Sequence, residues 1–252
     1  MAKIAVEHRA DVCPPPSRII AKGDQWTVSE FVCTLGPRDR PFEEFHSCPS
    51  VAIVIAGTFQ YHSHTGREMM TPGSVLLGST GQSFECGHEH GTGDRCLVFS
   101  YAPELFEHLA LETGGSARKP AFKASRVPPV RELSPLITAA SAALSRAAQA
   151  PWDELSLQIA ARTLELDRGV SQPGSRTEPG AAARVTRVVR MMEHNPAAPH
   201  DIAALAREAR LSPYHFLRTF QSLTGITPHQ YLRRLRLRWA VTAYTWWQQA
   251  KR

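Results

Sequence analysis

The segment ECGHEHGTGDRC, residues 85 to 96, concentrates side chains that bind metals. Cys86, His88 and His90 alternate, so a strand would place all three on one face. Cys96 follows after a Gly-rich turn and can face them from the next strand. Thiolate and imidazole are the donors that suit zinc and other borderline-soft transition metals. The spacing fits no standard zinc motif, and a polar surface with two buried thiols is the competing reading. His46 and Cys48 are further candidates for the same site. No cofactor is implied with certainty, and zinc or another transition metal is the one to look for.

A second stretch, LSPYHFLRTF at 211–220, suits a different chemistry. Ser212 fits a helix N-cap and Pro213 the first helical position, where its missing N–H costs nothing. Phe216, Phe220 and Leu223 form an apolar stripe at i, i+4, i+7. Tyr214, Arg218 and Gln221 occupy another face at the same spacing, with Leu217 between them. Arginine can grip guanine O6 and N7 with two hydrogen bonds, and Tyr and Gln can bond base edges. His215 and Thr219 flank this face and suit phosphates. Upstream, Ile202, Leu205 and Ala206 form the inner face of a preceding helix, and Arg210-Leu211 the turn. Gly225 ends the second helix, and Thr227-Pro228 opens a third. Two helices joined by a short turn can place the second in a major groove. An ordinary helical hairpin with a solvated face is the alternative.

The charge balance favours DNA. Residues 181–252 hold 12 Lys+Arg against 3 Asp+Glu, whereas residues 1–180 hold 17 against 20. A basic block of this kind suits a polyanion.

These groups need elements to position them. Up to about residue 100, runs such as VAIVIAG, SVLLG and CLVFSY between turn-rich stretches predict short strands of a small barrel or sandwich. PELFEHLALET, 103–113, predicts a helix, and 114–129 a loop. Residues 130–168 are rich in helix formers, with Pro151 dividing them into two helices. Leu155, Ile159, Arg162 and Leu166 step along one face, which suits a dimer surface or packing on the chain's own barrel. GVSQPGSRTEPG, 169–180, is a polar linker. No apolar run is long enough to cross a membrane, and the N-terminus lacks a signal-peptide layout. Five cysteines without a CxxC pair point to a reduced, cytoplasmic setting.

LAREARLSPYHFLRTFQSLTGITPHQYLRRLRL resembles the DNA-binding domain of the AraC/XylS family of bacterial transcriptional regulators, over roughly residues 183–238. Leu205-Ala206, Leu211-Ser212, Phe216, Arg218, Phe220, Gly225, Pro228 and Tyr231 carry the signature. The resemblance implies a sensory N-terminal domain, often a cupin barrel, and then helices used for dimerisation. It also implies a second helix-turn-helix after a long central helix, where this chain has VTAYTWWQQAKR. One unit is therefore expected, with weakened or dimer-dependent DNA binding. VAIVIAGTFQYHSHTGREMMTPGSVLLGSTGQSFE resembles the cupin hairpin pattern. The positions matching that family's metal motif are His46, Cys48 and Phe84, and Phe84 cannot ligate; the HxHxxxE of His62, His64 and Glu68 lies on the wrong side of Gly57.

The expected fold class is α+β. Residues 1–113 would form a cupin-like sensory β-barrel, 114–180 a helical linker or dimerisation region, and 181–252 an all-α helix-turn-helix domain. The expected function is a cytoplasmic transcriptional regulator, not an enzyme. It would bind double-stranded DNA and a small-molecule or metal effector, as a homodimer. The competing function is a metal-binding cupin module or metalloenzyme with a helical appendage; no paired general acid and base supports it.

Overall fold

The computed structural model describes residues 17–41, 43–88, 93–115, 122–144, 150–169 and 180–251. His90, Cys13 and most of the expected 169–180 linker lie outside the described residues.

Ten strands are present among them: β1 (Ser17–Lys22), β2 (Trp26–Cys33), β3 (Glu43–Phe45), β4 (Ser50–Gly57), β5 (Phe59–Ser63), β6 (Gly66–Met70), β7 (Val75–Gly78), β8 (Ser83–Gly87), β9 (Asp94–Tyr101) and β10 (Arg126–Val127). They form two antiparallel sheets, one ordered β1-β2-β9-β4-β7-β10 and the other β3-β8-β5-β6. β10 falls inside the stretch expected as a loop. It contributes two residues, paired with β7, too few for alternation to reveal it.

The apolar runs are continuous because the larger sheet is covered on both faces. Side chains of odd and even number point opposite ways along each strand. Val51 and Ile53 of β4, Leu97 and Phe99 of β9, and Val75 and Leu77 of β7 face outward into one core. Ala52, Val54, Cys96, Val98 and Leu76 face inward, toward the second sheet, with Phe59 and Tyr61. Three helices cap the outer core: α1 (Pro103–Glu112), α2 (Ser134–Ala143) and α3 (Trp152–Gly169). Phe106, Ile137, Trp152, Leu155 and Ile159 are their buried contributions. Of the two uses foreseen for the α3 stripe, the structure shows packing on the chain's own barrel. Leu155 and Ile159 are core, while Arg162 is surface and pairs with Glu165 at 2.6 Å. The Tyr101 hydroxyl donates to the Ser156 carbonyl at 2.9 Å and ties β9 to α3.

The C-terminal unit contains α4 (Ala181–His194), α5 (Ile202–Ala209), α6 (Pro213–Thr224) and α7 (Pro228–Ala250). Its local signals are those expected. Ser212 caps α6, its hydroxyl accepting from the His215 N–H at 3.4 Å. Gly225 closes α6 in the left-handed region at φ 80°. Thr227 and Gln230 bond each other's backbone N–H groups at 3.3 and 3.0 Å, a capping box for α7. Arg210, at φ 54°, takes the left-handed turn between α5 and α6. Phe216 and Phe220 meet edge-on at 5.6 Å, and Phe220 meets Tyr231 at 5.7 Å. Val185, Val188, Val189, Met192 and Leu205 complete this core. No helix among the described residues is long and apolar enough to cross a membrane.

Candidate functional site

Between the two sheets lies a cavity of about 420 Å³. Strand parity decides its lining. Phe31 and Cys33 of β2, Cys96 and Val98 of β9, and Phe84 and Cys86 of β8 all point into it. The four cysteines among the described residues, Cys33, Cys48, Cys86 and Cys96, are free thiols and all line this cavity.

His88 follows directly after β8 and is buried. Its Nε2 lies 2.6 Å from Asp94 Oδ1, and its Nδ1 4.0 Å from Cys33 Sγ. The Cys96 thiol donates to Asp94 Oδ2 at 3.2 Å. Cys33, His88 and Asp94 each offer a ligand atom, and the three atoms lie within 4.8 Å of one another. Burial works against a charge on His88. The hydrogen bonds to Asp94 and Cys33 and the nearby acidic groups outweigh it and raise the imidazole to about 9. Burial, and next the Asp94 charge, push the Cys86 and Cys96 thiols well above their usual range.

The expected group of Cys86, His88, His90 and Cys96 is thus only partly the one found. Cys86, His88 and Cys96 reach one cavity, and His90 is outside the described residues. β9 is next in the chain after β8, but it belongs to the opposite sheet, so Cys96 faces His88 across the sandwich rather than along one surface. Cys33 and Asp94 join the group unannounced. They are register partners on the neighbouring strands β2 and β9. His46 stands elsewhere in the cavity, beside Ser50 at the start of β4, whereas Asp94 pairs with Gly57 at its end. His46 Nε2 meets the Tyr61 hydroxyl at 2.9 Å, and its ring stacks on Phe84 at 4.3 Å. Burial pulls His46 down to about 4, so it is neutral at pH 7. Cys48 is half-buried. Of the HxHxxxE set, Glu68 accepts from Arg126 at 2.9 Å and His64 Nδ1 accepts from Gln82 at 3.1 Å, so the residues serve separate contacts.

On α6 the two faces separate cleanly. Phe216 and Phe220 are fully buried, while Tyr214, Arg218 and Gln221 are exposed along one side. The Arg218 guanidinium sits 5.8 Å above the Tyr214 ring, holding both in one presented surface. His215 and Ser212 are exposed, and Leu217 and Thr219 are half-buried at the edges.

The two regions are joined by polar contacts. Arg126 of β10 bonds Glu68 of β6 and donates to the Thr224 carbonyl at the end of α6, at 3.4 Å. Arg238 of α7 donates to the Pro72 carbonyl in the β6–β7 turn, also at 3.4 Å. Glu193 of α4 is buried beside the Gly57 backbone at the end of β4.

Residues 192–233 match the family described as bacterial regulatory helix-turn-helix proteins, AraC family. No curated protein matches the chain. Among solved structures, apo ToxT from Vibrio cholerae aligns at 12% identity and TM-score 0.40, over 84% of this chain and 98% of that one. A cupin superfamily protein from Desulfitobacterium hafniense aligns at 15% identity and TM-score 0.30, over 34% of this chain and 76% of that one. A protein of unknown function from Rhizobium leguminosarum aligns at 15% identity and TM-score 0.32, over 40% and 97%. The match to an AraC-type helix-turn-helix thus falls on the C-terminal unit, beside a sandwich of two antiparallel sheets.

Proposed function

We propose that this chain is a DNA-binding transcriptional regulator. Its barrel cavity would receive the effector, and its α6 would read a major groove. The observation that carries the reading is the two-faced α6. Its apolar side is core, its Tyr214–Arg218–Gln221 side is exposed, and the segment matches an AraC-type helix-turn-helix within a strongly basic unit. In this reading Arg218 and Gln221 contact base edges, Tyr214 and Leu217 pack on bases or sugars, and His215, Thr219 and Ser212 lie along phosphates. The unit formed by α5 and α6 reads one groove segment. The barrel with its helical cover would be the sensory unit, and residues 181–252 the DNA-binding unit. Such a regulator works in the cytoplasm and needs no catalytic step.

The test is selection of bound duplexes from a random pool by the purified full chain, followed by affinity titration at several salt concentrations. Enrichment of a sequence and a linear fall of log affinity with log salt support the reading. Binding that is indifferent to sequence would sink it.

A further inference from the structure

We propose that the barrel cavity holds a thiophilic divalent metal ion bound by Cys33, His88, Asp94 and Cys96, and that this ion is the effector. The site stands on its own geometry, and the effector role rests on the regulatory reading above.

The four donors come from both sheets and converge inside the molecule. Cys33, His88 and Cys96 are 7%, 4% and 5% exposed, and the Asp94 side chain is 6% exposed. They are bonded to one another by shared protons, at 2.6, 3.2 and 4.0 Å. Metal–ligand bonds of about 2.0–2.3 Å at tetrahedral angles separate neighbouring ligand atoms by about 3.4–3.6 Å. Cys33, His88 and Asp94 each bring one ligand atom within 4.8 Å of the other two, and Cys96 Sγ reaches Asp94 at 3.2 Å, so an ion bound through one His88 nitrogen requires the other side chains to close on it. Two sulfurs, one nitrogen and one carboxylate oxygen form the donor set that zinc favours over magnesium or calcium. Binding releases one proton from each thiol and any proton on His88. The ion's two positive charges then offset two of the three negative charges left on Cys33, Cys96 and Asp94. Cys86 lines the same cavity but is outside the four.

The site also has a short route to the DNA-binding unit. Asp94 pairs with Gly57 across β9 and β4. Gly57 has φ 79°, and a Cβ there would clash with the Gly93 carbonyl and meet Asp94 Cα at 2.7 Å. Its backbone has no slack against Asp94. The next neighbour is Glu193 of α4, buried beside the Gly57 backbone. An ion that repositions Asp94 would thereby disturb the packing of α4 on β4.

The test uses the full chain, reduced and free of air, titrated with Co²⁺ and then Zn²⁺. The expected result is one Co²⁺ per chain, with tetrahedral d–d bands and a thiolate-to-cobalt charge-transfer band, both erased by Zn²⁺. Cys33→Ser and Asp94→Asn should each weaken binding at least about tenfold, and Cys48→Ser should leave it unchanged. Asp94→Asn is nearly isosteric and carries the test if Cys33→Ser fails to fold. Absence of the charge-transfer band, or equal affinities in Asp94→Asn and Cys48→Ser, overturns the site. For the effector role, Zn²⁺ should change affinity for the selected duplex at least about tenfold, and Glu193→Ala should abolish that change while Co²⁺ still binds. Metal binding that leaves DNA affinity unchanged overturns the role and leaves the site standing. Sequence-selective DNA binding by a chain that takes up no metal overturns the site and leaves the regulatory reading standing.

Discussion

In the barrel, His88 and Asp94 meet at 2.6 Å with side chains 1% and 6% exposed. On α6, Arg218 lies over Tyr214 at 5.8 Å, and Tyr214 is 64% exposed. The two sites use ionisable and aromatic groups under opposite solvent conditions. In the buried His88–Asp94 cluster each charge must be answered by a neighbour, so the groups lock one another in place. On the wet helix the contact contributes little to stability, and its strength appears only when a duplex supplies the partner. Removing a group should therefore damage folding in one region and recognition in the other.

The largest effect should come where α6 turns inward. Phe220 is fully buried between Phe216 and Tyr231. Phe220→Ala should cost about 3–5 kcal/mol in urea unfolding and abolish DNA binding. A loss under about 1 kcal/mol would mean that the inner face of α6 is not core.

A second effect probes the junction of the two regions. Burial against the barrel raises Glu193 to about 7, although the Gly57 N–H, Arg238 and Arg190 pull the other way. The Tyr231 hydroxyl, pushed up by burial and then by Glu193, is the remaining titratable neighbour. The folded chain thus keeps a proton that the unfolded chain releases near the reference value of 4.5. This group's contribution is fully present below 4.5, falls as pH rises toward 7 and is flat above it. The fall is on the order of 3 kcal/mol at most. Thermal melts between pH 5 and 8 should show the slope, and Glu193→Gln should flatten it.

Third, Arg218→Ala should lower affinity for the selected duplex by about 1–3 kcal/mol, roughly 5- to 150-fold, while stability changes by less than about 0.5 kcal/mol. A matching loss of stability would erase the contrast between exposed and buried sites. The smallest effect belongs to the α6 cap. Ser212→Ala should destabilise by about 1 kcal/mol and Ser212→Gly by only a few tenths, read by chemical denaturation.

Legibility followed the range of the interactions. The α5–turn–α6 unit was readable because its caps, stripe and exposed face arise from contacts three to seven residues apart. Ser212, Gly225 and Thr227 all serve as their types predict. The barrel strands were readable from apolar runs between turns, but β10 was not, since two residues carry no period. The cavity was half readable. Cys86, His88 and Cys96 stand close in sequence, so their types and spacing mark them together. Cys33 and Asp94 are not so marked, because the β2–β9 register sets their proximity and no local pattern encodes it.

By itself the sequence determined the parts: apolar strands between turns, capped helices, a basic C-terminal unit and a helix with one greasy and one polar face. These follow from side-chain type and spacing, which act over one or two turns. Only the tertiary structure decided which parts meet. It set Cys33 and Asp94 against His88, turned the α3 stripe onto the barrel rather than toward a second copy, and brought Glu193 to Gly57. Those choices rest on strand register and on the packing of two covered sheet faces, which depend on the whole chain at once.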